Sequence, residues 1–129
     1  MVEFIGRESE QTELLTWCND PAANPVRLMV GAGGIGKSRL AGKLMQRLEE
    51  TGWNCAWVGE GHESEAWHDA SEGTNRPVLL VVDYAETRTG LADLLRSIAE
   101  TDDRTRVRVL LLARGAGEWR NGTVWRHSR

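Results

Sequence analysis

Lys37, Ser38, Asp83, Glu86 and Arg114 are the side chains whose types and positions suit joint action on a phosphate group. Within V-R-L-M-V-G-A-G-G-I-G-K-S-R-L, Val26 to Leu40, the residues Gly31, Gly36, Lys37 and Ser38 fit the spacing G-x-x-x-x-G-K-[ST]. An apolar strand pattern precedes them and a helical pattern follows, which is the context this phosphate-binding motif requires. Three further small residues, Ala32, Gly33 and Gly34, let the backbone wrap closely with its N–H groups turned inward, making an anion-binding nest at the positive end of the next helix. The expected cup for a polyphosphate is lined by backbone amides from Gly31 through Ala32, Gly33, Gly34, Ile35 and Gly36 to Lys37, Ser38 and Arg39. In it Lys37 places a point charge on the β- and γ-phosphates. The Ser38 hydroxyl is suited to be one ligand of a Mg²⁺ that otherwise keeps waters and phosphate oxygens.

Three more residues stand at the ends of apolar runs or just beyond them. Asp83 closes Val78-Leu79-Leu80-Val81-Val82, the pattern of a buried parallel strand, and an acid at such a tip orders Mg²⁺ through its waters. Glu86, three positions on, is placed to orient or deprotonate an attacking water. Arg114 follows the buried run Val107 to Ala113, and a guanidinium there suits the γ-phosphate because it can bind two oxygens at once.

The elements that must position these residues alternate strand with helix. A segment from about Glu8 to Cys18 is helical, with Leu14, Leu15, Trp17 and Cys18 toward a core, after an apolar pair Phe4-Ile5 and a turn at Gly6. Asn19-Asp20-Pro21 ends it. The helix Lys37 to Glu50 carries Leu40, Leu44 and Leu48 on one stripe and stops at Gly52. Trp53 to Val58 reads as a strand buried on both faces, and the polar stretch Glu60 to Arg76 holds a short helix around Glu63 to Ala70. A further helix, Gly90 to Thr101, presents Leu91, Leu94, Leu95 and Ile98 on one face. Such alternation implies right-handed β-α-β units and a parallel sheet.

Composition narrows the partners. A chain of 129 residues has room for one domain and one core, and its 40% hydrophobic and 27% charged residues are ordinary for a soluble protein. A net charge of −3 gives no broad basic field for nucleic acid or an anionic membrane. Apolar runs of five residues are too short to span a bilayer, and the start M-V-E-F-I-G-R-E has no leader pattern, so a cytoplasmic protein is expected. Cys18 and Cys55 show no ligand spacing and read as buried free thiols, while His62, His68 and His127 show no metal spacing.

The ordered set F-I-G-R-E (Phe4 to Glu8), G-A-G-G-I-G-K-S (Gly31 to Ser38), L-L-V-V-D-Y-A-E (Leu79 to Glu86) and V-L-L-L-A-R (Val109 to Arg114) resembles the nucleotide-binding domain of the STAND class of signal-transduction ATPases, the NACHT and NB-ARC relatives, in a bacterial form. The resemblance covers about residues 3 to 119. It implies a three-layer α/β P-loop NTPase fold, with a parallel sheet of about four strands in which the Val107 strand lies between the Val26 and Val78 strands. It also implies that Phe4, Ile5, Gly6 and Arg7 lie along the adenine and ribose, that Asp83 is the Walker B acid, and that Arg114 is the sensor 1 arginine. The cofactors implied are ATP and Mg²⁺, the activity is slow hydrolysis, and the partners are other domains or copies of a larger signalling ATPase.

Two departures from that class are visible. Tyr84 stands directly after Asp83, where many P-loop ATPases carry the catalytic Glu, so turnover rests on Glu86. The chain also stops before a fifth strand and a C-terminal lid, and residues 120 to 129 form a basic, irregular tail. The expectation is therefore a partial domain over residues 1 to 119, with a truncated remnant that turns over no nucleotide as one alternative. A small P-loop kinase is the other alternative, although neither an acceptor site nor a basic lid is visible. A GTPase fits less well, because no N-K-x-D stretch is present.

Overall fold

Two strands without an exposed residue lie at the middle of the computed structural model, which describes residues 2–30, 35–101 and 106–114, with side chains described from Ser9 in the first stretch and from Gly36 in the second. These are β3 (Val78–Val82) and β4 (Val107–Ala113), both buried along their whole length. Continuous apolar runs of this kind need cover on both faces, and a parallel sheet with a helical layer on each side supplies it. The flanking strands are β1 (Val26–Val30) and β2 (Asn54–Trp57), giving, among the described residues, a four-stranded parallel sheet in the order β1-β4-β3-β2. The expected insertion of the Val107 strand between the other two apolar strands is therefore observed.

Alternate residues of the central strands feed two cores, as the period of two in a strand requires. On one face Leu79, Val81, Leu110 and Leu112 pack with α1 (Val2–Asn19) and α2 (Ile35–Glu50), which contribute Leu14, Trp17, Leu40, Leu44 and Leu48. On the other, Val78, Leu80, Val82, Val109 and Leu111 pack with Leu91, Leu94 and Ile98 of α4 (Leu91–Glu100), with α3 (Ala66–Ser71) at the rim. The layering is helix, sheet, helix. Helix α2 ends in a Schellman arrangement: Gly52 takes φ 101, its N–H donates to the Glu49 carbonyl at 3.2 Å, and the Trp53 N–H donates to Leu48 at 3.1 Å.

Two elements differ from the sequence expectation. No turn forms at Gly6: the backbone is helical from Val2, so Phe4, Ile5, Gly6 and Arg7 all lie within α1. One glycine costs a helix about 1 kcal/mol, and the strong helix formers around it, including Glu3, Glu8, Glu10 and Gln11, offset that. Strand β2 is shorter than Trp53 to Val58 and is not buried on both faces. It is the sheet edge, with Trp57 45% exposed, because among the described residues no strand follows it outward in the sheet order. Among the described residues no helix is long and apolar enough to cross a membrane.

Candidate functional site at the strand tips

Because all four strands run parallel, their C-terminal ends lie on one side of the sheet, where ligands of open α/β sheets bind. The register sets which tips are neighbours. Val30 is level with Ala113, and Val82 is level with Leu111, so Arg114 emerges between the end of β1 and Asp83. Helix α2 begins at Ile35, and Gly36, Lys37 and Ser38 form its first turn. Gly31, Ala32, Gly33 and Gly34 lie outside the described residues.

Ser38 and Asp83, 45 positions apart in sequence, meet across this edge. The Ser38 hydroxyl Oγ donates to Asp83 Oδ2 at 3.4 Å, while Asp83 Oδ1 accepts the Tyr84 N–H at 2.9 Å. One carboxylate oxygen is thus used to fix the acid to its own backbone, and the other is turned to the first turn of α2. Lys37 is buried, with 6% of its surface exposed, and Arg39 faces solvent.

The residue after Asp83 makes a sharp change of direction. Tyr84 takes φ 53 and ψ 45, the left-handed conformation that a side chain such as tyrosine seldom adopts, and the next three residues form a 3-10 turn, Ala85–Thr87. The turn is tied by the Thr87 hydroxyl and N–H, which donate to the Tyr84 carbonyl at 2.9 Å and 3.0 Å. This bend carries Glu86 back to the tip of β4, where its Oε2 accepts the Arg114 N–H at 3.4 Å. Its other oxygen, Oε1, is buried and has no hydrogen-bond partner among the described residues. The Arg114 guanidinium lies over the Tyr84 ring, 5.6 Å from its centroid, within cation–π range. Tyr84, named from sequence only as the residue in place of a glutamate, is therefore a platform for the arginine.

Sequence reasoning missed the buried pair behind this edge. Glu63 opens a 3-10 turn, Glu63–Glu65, and Arg88 follows the turn that bears Glu86. Arg88 Nη1 donates to Glu63 Oε2 at 2.8 Å, with the two side chains 9% and 5% exposed. Burial pushes the Glu63 carboxyl upward, but the Arg88 hydrogen bond and charge and the backbone bonds, one from Gly61 N–H at 3.3 Å, outweigh it and hold the acid below its ordinary range. Glu63 lies in a polar stretch with no apolar period, so nothing local marks it as buried. The space its carboxylate fills is left by Gly90, at the entry to α4, where a Cβ would stand 2.8 Å from Glu63 Oε1.

Among the described residues, the two cysteines and the histidine of α3 are not linked to the site by any contact. Burial pushes the thiols of both Cys18 and Cys55 up to about 12, and both are free, though Cys55 is only half-buried, unlike the expectation. Exposed His68 and Asp69 of α3 and Glu72 just after it bring three ligand atoms within 4.8 Å of one another, a grouping common on protein surfaces without an ion. The chain matches no protein-family model and no curated protein.

Proposed function

We propose that the chain is a Mg-ATP-binding switch domain of a STAND-like signal-transduction ATPase, hydrolysing its nucleotide slowly. The observation that carries this reading is the meeting of Ser38 and Asp83 at 3.4 Å across the strand tips. A hydroxyl and a carboxylate at that separation are the donor set that a hard, water-retaining cation takes beside a triphosphate, so the residues fit Mg²⁺. Ser38 and Asp83 would hold it, and when bound it supplies neutralising charge at the β- and γ-phosphates.

The chain's own groups then divide the remaining work. Lys37 adds its ammonium charge to the phosphates. Glu86 accepts a proton from the water whose oxygen forms the new bond to the γ-phosphorus, and the bond to the β–γ bridging oxygen breaks, leaving ADP and phosphate. Arg114, released from the Tyr84 face, supplies a guanidinium to the γ-phosphate. Phe4, Ile5, Gly6 and Arg7 are assigned to the adenine and ribose on the resemblance alone, and so is the role of the nucleotide in controlling other domains or copies of a larger protein.

A thermal-shift titration tests the reading. Mg-ATP at about 100 times its Kd stabilises a native state by about 2.7 kcal/mol, which for a domain of this size raises the midpoint by about 8 °C. The wild-type chain is expected to show that rise and Lys37→Ala to lose it. Phosphate release without any added acceptor distinguishes hydrolysis from kinase chemistry, and a folded wild-type chain with no shift overturns the proposal.

A further inference from the structure

We propose that Glu63 and Arg88 form a positioning clamp for Asp83, so that the segment leaving β2 sets the magnesium affinity of the nucleotide site. The inference rests on the nucleotide reading above and goes beyond it by assigning two residues that make no contact with the expected ligand positions.

The geometry is specific. Arg88 uses two different edges of its planar guanidinium: Nη1 donates to Glu63 Oε2 at 2.8 Å, and Nε donates to the backbone carbonyl of Asp83 at 3.1 Å. A planar fork fixes the direction between its two bonds, so the position of Glu63 is passed to the peptide that carries Asp83. Glu63 is held in turn. Gly61, at φ 87, donates its N–H to the same oxygen at 3.3 Å, and the absent side chain of Gly90 leaves the space that the carboxylate fills. The clamp thus joins the loop after β2, the bend after β3 and the start of α4.

Energetics favour a positioning role over a stabilising one. Two charges this deeply buried lose much of their hydration, and such a pair contributes little net stability compared with apolar residues of equal volume. What the pair does impose is one arrangement of the Asp83 peptide. That peptide needs an external constraint, because the very next residue, Tyr84, sits in the left-handed region and would relax if the bend were free. Groups that orient a metal ligand from behind typically change metal affinity by about 10-fold or more when removed.

The decisive variant is Arg88→Lys, which keeps a positive charge opposite Glu63 but has no Nε–H for the Asp83 carbonyl. The probe is N-methylanthraniloyl-ATP, its Kd measured by fluorescence in EDTA and in saturating magnesium for wild type, Arg88→Lys, Glu63→Gln and Gly90→Ala. The clamp predicts that wild type binds more tightly with magnesium, that Arg88→Lys and Glu63→Gln lose about 10-fold of that enhancement, and that their Kd in EDTA stays within about 2-fold of wild type. Gly90→Ala, whose Cβ would stand 2.8 Å from Glu63 Oε1, is expected to lose part of it. A purely structural role would weaken both Kd values together or neither. Folding is checked for each variant by circular dichroism, and Arg88→Lys keeps the experiment decisive where Glu63→Gln fails to fold. A wild type with magnesium enhancement, matched by an Arg88→Lys chain that retains it in full, overturns the clamp alone. A folded wild type that binds no probe overturns the nucleotide reading and the clamp with it.

Discussion

Arg108, inside the central strand β4, donates its Nε–H to the carbonyl of Trp17 at 3.2 Å and so ties the last turn of α1 to the middle of the sheet. The same guanidinium donates from Nη2 to the Asp20 carbonyl at 2.7 Å and from Nη1 to its neighbour Val107 at 2.8 Å. A helix leaves its last four carbonyls without intrahelical partners, and Arg108 reaches one of these and the next carbonyl beyond the helix, from a position 1% exposed. The charge is not lost to burial without return: the Trp17 indole lies under it at 5.9 Å, with Arg27 at the same distance from that ring. Trp17 is itself fixed by its Nε1–H, which donates to the Asn24 carbonyl at 2.7 Å.

Arg108→Met is therefore expected to destabilise the fold by about 1–3 kcal/mol, because it fills most of the volume but removes the charged donor shared by the Trp17 and Asp20 carbonyls, which keep only the Asp20 N–H at 3.4 Å and the Ala23 N–H at 3.0 Å. Urea unfolding measures it. An Arg108→Met midpoint within experimental error of wild type would show that the Asp20 and Ala23 N–H groups satisfy these carbonyls without the guanidinium.

The proposed chemistry turns on Glu86, whose Oε1 is buried and free of protein partners among the described residues while Oε2 is engaged by Arg114. Glu86→Gln keeps the shape and removes the base. Phosphate release is expected to fall by about 100-fold, with the Kd for Mg-ATP within about 2-fold of wild type. Unchanged release in Glu86→Gln would assign the base elsewhere.

Much of the scaffold was legible in the sequence because its signals are local. The runs Val78–Val82 and Val107–Ala113 announce central strands, the Leu40, Leu44, Leu48 stripe announces the helix on one face, and Leu91, Leu94, Ile98 announce the helix on the other. What was not legible depends on distant partners. Trp57 has the composition of a buried strand, yet β2 is an edge, and edge position follows from sheet order, not from residue type. Arg108 and Glu63 are charged residues in the interior, each admitted by groups far away in the chain: Trp17 and Asp20 for the first, Arg88 for the second. Around the candidate site, the spacing of Asp83, Glu86 and Arg114 could be read, while the bend at Tyr84 that brings Glu86 to Arg114 could not.

The buried acid also gives the fold a pH signature whose sign follows from its partners. Glu63 is held below its ordinary range, so its charged form is stabilised in the native state more than in the unfolded chain. Its contribution is fully present above the unfolded carboxylate value, about 4.3, and is lost as pH falls through the lower native one. Wild type should therefore lose stability below about pH 4.5 more steeply than Glu63→Gln, which has nothing to titrate at that position. Near neutral pH, Glu63→Gln should be the less stable of the two by on the order of 3 kcal/mol, since Arg88 keeps a buried charge without its counterion. Urea midpoints measured from pH 7 down to about 3 should converge as the acid side is approached. Parallel curves, with the same gap at every pH, would mean that Glu63 enters both states with equal acidity and that the Arg88 contact does not hold its charge.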